Sequence, residues 1–225
     1  MTKPYKATCV SAEIGKLCTS IDYEAFSDGY FDGYPLLTSV VISDSVTSIG
    51  EYAFDYCTNL SSVTFGTGVD SIGTYAFCNC PITSLIIPNA TFIGYDAFDN
   101  CTSLVSVTLP NIITINDIAF KYCTKLVSVT LGDSITSIGY ESFKGTPWWN
   151  TYSVDPNNYY GNIIYINKVA YKATSVNIES CTFKNDTLSI GDRAFEGCER
   201  LTSVIIPKTV TYIGTRAFSQ CASLT

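Results

Sequence analysis

The sequence predicts a β-rich α/β repeat: a right-handed solenoid of stacked parallel strands and short helical turns, with one hairpin-containing insertion. Three observations carry this. A frame of Ile49, Gly50, Ala53, Phe54, Cys57, Leu60, Val63 and Phe65 returns as Ile72, Gly73, Ala76, Phe77 and Cys80, and again as Ile93, Gly94, Ala97, Phe98, Cys101, Leu104, Val107 and Leu109. The anchors Ile49, Ile72, Ile93, Ile115 and Ile138 stand 23, 21, 22 and 23 residues apart. At such a period no unit buries its apolar side alone, so neighbours must stack. Finally, Val63-Thr64-Phe65, Val107-Thr108-Leu109 and Val129-Thr130-Leu131 keep the two-residue rhythm of a strand with one buried face.

Taken in order, the first coil is degenerate, with Cys9 and Ala12 where later units hold Leu and Val. After Phe26, the stretch Asp28 to Pro35 is longer than its counterparts, and its Gly and Pro content predicts a protruding turn. Strands are expected near Ile14, Ile42, Phe65, Ile87, Leu109, Leu131, Ile178 and Ile206. Gly66, Pro88, Pro110 or Gly132 closes the strand, because Pro lacks an amide donor and Gly tolerates positive φ. Gly50 to Cys57 then fits one or two turns of tight helix with Ala53, Phe54 and Cys57 inward, too short to stand alone. At roughly 4.8 Å per coil, Phe54, Phe77, Phe98, Phe120, Phe143, Phe195 and Phe218 should form a column, each ring contributing about 1.5 to 3 kcal/mol. About 30 residues, from Thr146 to Ser175, replace a short link. Within them Ile163 to Ile166 and Val169 to Lys172 flank Asn167-Lys168, which suits a two-residue hairpin. The array is expected to be broken at both ends, with an open sheet edge after Thr225.

Composition narrows the function classes. The chain of 225 residues reads as one elongated domain over residues 1–225, since a solenoid grows by adding coils. An apolar fraction of 46% excludes disorder, and no apolar run approaches the roughly 18 residues of a membrane span. Twenty acidic against 13 basic residues give a net charge of −7, with no basic block to neutralise phosphates. Neither nucleic acid nor membrane insertion is expected. There is no His, which removes the commonest general base and zinc ligand. No enzyme activity, cofactor or metal is therefore expected. Met1 to Lys6 lack the apolar stretch of a secretory signal, which leaves a cytosolic protein or a chain whose signal has been removed.

Units such as Leu201-Thr202-Ser203-Val204-Ile205-Ile206-Pro207, continuing through Ile213, Gly214, Ala217, Phe218 and Cys221, resemble the BspA-like, or treponemal-type, leucine-rich repeat. The resemblance covers nearly the whole chain and extends to Gly145-Thr146-Pro147-Trp148-Trp149-Asn150 and Gly161 to Lys172, which resemble an insertion recurring in that family. It implies a leucine-rich-repeat solenoid of a cell-surface or secreted protein, and several relatives of this kind are adhesins. A monomer with a protein or glycan ligand is expected. A spacer that displays another domain, with no ligand of its own, is the alternative, and an enzyme built on the insertion is a third class against which the missing His counts.

Two candidate binding surfaces follow. Outward strand positions Ser62 and Thr64, Ser84 and Ile86, Ser106 and Thr108, Ser128 and Thr130, and Ser203 and Ile205 are expected to form a flat, uncharged, hydroxyl-rich face able to lie against a protein or glycan. Strand propensity alone also accounts for Thr there. In the insertion, Trp148 and Tyr171 should pack on the array while Trp149, Tyr159 and Tyr160 stay exposed as binding anchors. Six of the ten cysteines (Cys57, Cys80, Cys101, Cys123, Cys198, Cys221) share one repeat position and read as buried free thiols. Asp55, Asp96, Asp99, Glu141, Asp192 and Glu196 read as the solvated face of the helical turns.

Overall fold

The computed structural model describes residues 9–28 and 33–225. It resolves two compact units, one of Met1–Gly132 with Glu141–Trp149 and one of Asp133–Tyr140 with Asn150–Thr225. The expected readings of Met1 to Lys6, and of residues 29–32 in the predicted protruding turn, lie outside the described residues. The flanks of that turn meet in an antiparallel bridge between Ser27 and Gly33.

In the first unit each coil contributes two strands. The longer ones are β1 (Ser11–Ile14), β3 (Ser39–Ile42), β5 (Ser62–Thr64), β7 (Ser84–Ile86), β9 (Ser106–Leu109) and β11 (Ser128–Leu131). They pair in parallel as β1-β3-β5 and β11-β9-β7. The register matches repeat to repeat: Val40 faces Val63, and Val107 faces both Leu85 and Val129. The shorter ones, β2 (Ser20–Ile21), β4 (Ser48–Ile49), β6 (Ser71–Ile72), β8 (Phe92–Ile93) and β10 (Thr114–Ile115), form a parallel ladder that carries the Ile anchors. The ladder of longer strands breaks between β5 and β7. The Thr83 amide still bonds Ser61 O at 3.2 Å, as the Ser61 amide bonds Thr38 O at 3.1 Å, so the shorter link from Cys80 to Ile82 is absorbed in the turn and the register is kept.

The phenylalanine column is the core of this unit. Successive rings from Phe26 through Phe54, Phe77, Phe98 and Phe120 to Phe143 stack at 4.8, 4.9, 5.3, 5.3 and 5.4 Å, within 10° of parallel. Trp148 closes it edge-on against Phe143 at 4.8 Å, the packing expected for that residue.

The predicted helical turns are absent, and the spacing explains why. An α-helix with its side chains is about 10–12 Å wide, which cannot repeat at the ~5 Å rise of this stack. Gly50 to Cys57 instead forms consecutive tight turns in which alternate amides have different destinations. Ala53, Asp55 and Cys57 donate back to Gly50, Tyr52 and Phe54, whereas Tyr52, Phe54 and Tyr56 donate to Thr74, Ala76 and Cys78 of the next coil at 2.8–3.0 Å. This alternation needs a left-handed residue two positions before and two after each Phe: Tyr52 and Tyr56, Tyr75 and Asn79, Asp96 and Asn100, Ile118 and Tyr122 all have φ between 52° and 59°.

A second correction concerns the strand-closing glycines. Gly66 and Gly132 do not have positive φ. They are needed for close approach instead, since a Cβ on Gly66 would lie 2.4 Å from the Ser43 carbonyl and one on Gly132 1.7 Å from Pro110 O.

The second unit holds β12 (Ser137–Ile138), β13 (Tyr159–Tyr160), β14 (Ile163–Ile166), β15 (Val169–Ala173), β16 (Ser189–Ile190) and β17 (Tyr212–Ile213). A short helix α1 (Pro147–Tyr152) and a 3-10 turn (Pro156–Asn158) precede β13. The expected hairpin is present as β14 and β15, antiparallel, with Ile166 opposite Val169. β13 adds a third strand through Gly161 and Asn162, both left-handed as a type I′ turn requires. β15 then continues in parallel into β16 and β17. The Gly191 amide bonds Ala170 O as the Gly73 amide bonds Ile49 O, so β15 takes the place of a coil's short strand. The insertion is thus sheet rather than appendage: β14 is buried throughout, and so is Tyr171.

The strands predicted at Ile178 and Ile206 do not form. The Asn177 amide bonds the Ser175 hydroxyl at 3.1 Å, a local turn that withdraws it from any ladder. Ile205 is 88% exposed, so no neighbour supports extension there.

Candidate functional site

The hydroxyl face lies where the strand alternation places it. Ser39 pairs with Ser62 and Val41 with Thr64, while Ser84, Ser106 and Ser128 align in one row and Ile86, Thr108 and Thr130 in another. Ser62, Thr64, Ser128 and Thr130 are exposed; Ser106 and Thr108 are half-buried. Because strand neighbours lie about 4.8 Å apart, the face offers donors and acceptors at a regular interval, interrupted by Ile86 and Val41 and ending on the exposed carboxylate of Glu13.

The insertion aromatics do not share one environment. Tyr160 is 45% exposed. Trp149 and Tyr159 are half-buried rather than exposed as expected. The Trp149 amide caps onto Thr146 Oγ1 at 3.0 Å, and the Tyr159 hydroxyl donates to Ser153 O. Trp149 belongs to the first unit, Tyr159 and Tyr160 to the second.

The opposite, turn-bearing side of the first unit holds a feature that sequence reasoning missed. A groove of about 690 Å³ is lined by tyrosines, carboxylates, Cys78 and two asparagines, with no basic side chain among its lining residues. Tyr52 stacks on Tyr75 at 4.9 Å and meets Tyr23 edge-on at 5.9 Å. Asn100 Nδ2 donates to Asn79 Oδ1 at 2.6 Å, and Asn79 Nδ2 to Cys78 Sγ at 3.0 Å. Beneath them Asp55 and Asp96 are each only 5% exposed. Oδ1 of Asp55 and Oδ1 of Asp99 have no hydrogen-bond partner.

Burial sets the electrostatics. It pushes Asp55 up to about 6, against the opposing effect of the Tyr56 amide and the Asn79 and Cys78 side chains. Asp99 is pushed up to about 6 by burial and then by Asp96, despite Lys121. Asp96 is raised by burial while Tyr75 and Lys121 hold it down. Lys121 is already engaged, 3.3 Å from Glu141 and 5.1 Å over the Tyr122 ring. The expectation of a solvated acidic face is corrected here: Asp55 and Asp96 are buried and Asp99 and Glu141 half-buried, because Asp55 precedes the left-handed Tyr56 and Asp96 is itself left-handed, whereas a helix would have sent both side chains outward. The signal was present in the recurrence of Tyr, Asp and Asn at the positions flanking each Phe.

All ten cysteines are thiols, none of them in a disulfide. Among the described residues, no three Cys, Asp or Glu side chains come together in a way that could hold a metal ion. No helix among them is long and apolar enough to cross a membrane.

Among solved structures, the chain is similar to a leucine rich cell surface protein of Faecalibacterium prausnitzii A2-165, with 23% identity over 96% of this chain and 80% of that one and a TM-score of 0.55. It is similar to the T. pallidum leucine rich repeat protein, with 22% identity over 96% and 78% and a TM-score of 0.51. A leucine-rich repeat protein of Eubacterium ventriosum ATCC 27560 matches at 21% identity over 93% of this chain and 51% of that one, with a TM-score of 0.51. These likenesses concern the fold. Among curated proteins, none matches the chain. The BspA type leucine rich repeat region matches residues 24–150 and 160–225 in six copies. The solenoid of parallel strands and this match over most of its length place the chain in the BspA type leucine rich repeat family.

Proposed function

We propose that the chain is the binding module of a cell-surface or secreted protein, adhesin-like and non-enzymatic, which holds a protein or glycan ligand against a rigid repeat array. The observation that carries this reading is the register within the two ladders: Ser62 and Thr64 continue the row pattern of β3, and Ser106 and Thr108 face Ser128 and Thr130 on the next coil, so hydroxyls repeat at the strand interval within each ladder. A surface of that regularity suits an extended partner whose own groups repeat, and its hydroxyls from Ser62 to Thr130 are covered without the desolvation cost of buried ions. The family and the resemblance of the fold to a leucine rich cell surface protein support the location. The net charge of −7 argues against nucleic acid.

The purified chain should bind selected members of a glycan and matrix-protein array. The variant Thr64→Arg/Thr108→Arg/Thr130→Arg should lose at least about tenfold in affinity, roughly 1.4 kcal/mol, with an unchanged melting temperature. Alanine at Trp149, Tyr159 and Tyr160 tests the insertion in the same assay. An inert chain would favour the spacer reading.

A further inference from the structure

The groove on the turn-bearing side is a second site, independent of the hydroxyl face. We infer that it binds cationic side chains, the ammonium or guanidinium groups of a basic peptide or protein segment.

The argument starts from charge. Four carboxylates, from Glu24, Asp55, Asp96 and Asp99, line the groove together with five tyrosines and no base. Tyrosine faces carry negative quadrupole density and attract a cation within about 6 Å of the ring centroid. The wall formed by Tyr23, Tyr52 and Tyr75 is continuous, each ring touching the next. Hydrogen bonding then points the same way. A carboxylate only accepts, and Asp55, 95% withdrawn from solvent on the groove wall, has an Oδ1 with no donor. Asp99 repeats this two coils on. An ammonium offers three donors and a guanidinium five, so either would satisfy these oxygens while neutralising their charge. A buried acceptor left unmade costs free energy that a ligand donor recovers.

The chain also shows what a seated cation looks like. Lys121 occupies the position after Phe120 that Asp55 and Asp99 occupy after Phe54 and Phe98. There its Nζ lies over the Tyr122 ring at 5.1 Å and 3.3 Å from Glu141. Ring and carboxylate together hold that internal cation. The groove on the coils before it holds the same two kinds of partner, tyrosine rings and carboxylates, with no base among its lining residues. The burial of Asp55 and Asp96, with the raised pKa of Asp55 and Asp99, is what such a site shows before its counter-charge arrives.

The test uses the full chain and three probes: acetylated decalysine amide, acetylated decaarginine amide, and maltohexaose as a neutral glycan, each titrated at low ionic strength. Decalysine or decaarginine should bind saturably. The variant Asp55→Asn/Asp99→Asn should weaken that binding at least tenfold without lowering the melting temperature. Tyr52→Leu should weaken it severalfold with charge unchanged. A control of equal charge, Asp133→Asn/Asp186→Asn, both exposed and outside the groove, should bind within twofold of the parent. An equal loss in this control would mean that the peptides follow net charge, and would overturn the proposal. So would failure of both peptides to bind, or binding of maltohexaose alone. None of these outcomes bears on the arginine substitutions of the hydroxyl face, so the two readings fail separately.

Discussion

The thiol of Cys80 donates to the main-chain oxygen of Phe54, one coil back, at 3.0 Å. The same bond runs from Cys101 to Phe77 and from Cys123 to Phe98, both at 3.2 Å. That oxygen already accepts the Cys57 amide, so the thiol supplies its second lone pair with a weak donor that is otherwise apolar. Burial drives the Cys80 and Cys101 thiols well above their ordinary range. Cys80→Ala should cost about 1–2 kcal/mol through the lost bond and the small cavity. With a colorimetric thiol reagent, exposed Cys18 should react at once and Cys57, Cys80, Cys101 and Cys123 only on unfolding. Rapid reaction of those four in the native protein would contradict the packing.

Ile118 occupies a left-handed position with φ of 52°, where other coils place Tyr75, Asp96 and Glu141. A β-branched side chain crowds its own backbone in that region, at about 1–2 kcal/mol. Asn tolerates the conformation better. Ile118→Asn should raise stability by about 0.5–1 kcal/mol, less than the full strain because a half-buried side chain is lost. Ile118→Val keeps the strain and should show no gain. Denaturant unfolding of the two variants decides the matter.

The column and the strand positions could be read from the sequence because their identity recurs: Phe at one position and Val-x-Leu at another leave little room for a different partner. The turn could not. Ala53, Phe54 and Cys57 have the i, i+1, i+4 spacing of a helical face, and the left-handed pair at Tyr52 and Tyr56 that replaces the helix uses residues with no strong preference for positive φ. What excludes the helix is the ~5 Å rise shared by all coils, a property of the stack and not of any segment. The acidic groove went unseen for the same reason, since its burial depends on that turn. Ile178 and Ile206 show the converse case, in which repeat identity is present but a local turn or a missing neighbour prevents the ladder.

Tyr165 ties the insertion into the second unit. Its hydroxyl accepts from the Lys184 amide at 3.0 Å and lies 2.9 Å from Thr187 Oγ1. Because Thr187 spends its own proton on Lys184 O at 2.7 Å, the Tyr165 hydroxyl is the donor in that pair. Tyr165→Phe removes both bonds and strands a partly buried amide. The expected loss is about 1–3 kcal/mol. Amide exchange near Lys184 should quicken, while the first unit keeps its protection; uniform exchange throughout would show that the two bonds carry little.

Asp55 should make the protein more stable as the pH falls from neutrality. Its ordinary pKa of 3.8 is raised to about 6 by burial, against which the Tyr56 amide and the Asn79 and Cys78 side chains facing it pull only part of the way back. Above pH 6 the carboxylate is ionised in both states, and the native state bears the full cost of burying it. Between about 4 and 6 the native state binds the proton and the unfolded state does not, so the native state gains. Below about 4 both are protonated and the gain is complete. At 1.36 kcal/mol per unit, the effect is at most about 3 kcal/mol. Asp55→Asn removes the charge with little change in shape. It should be more stable than the parent at pH 7 by about 1–2 kcal/mol and should lose that advantage by pH 4.5, where the parent is protonated. Melting temperatures of the two proteins across that range, compared pairwise so that other carboxylates cancel, measure the term. A variant less stable than its parent at pH 7 would mean that Asp55 is held as an anion by partners the groove does not show.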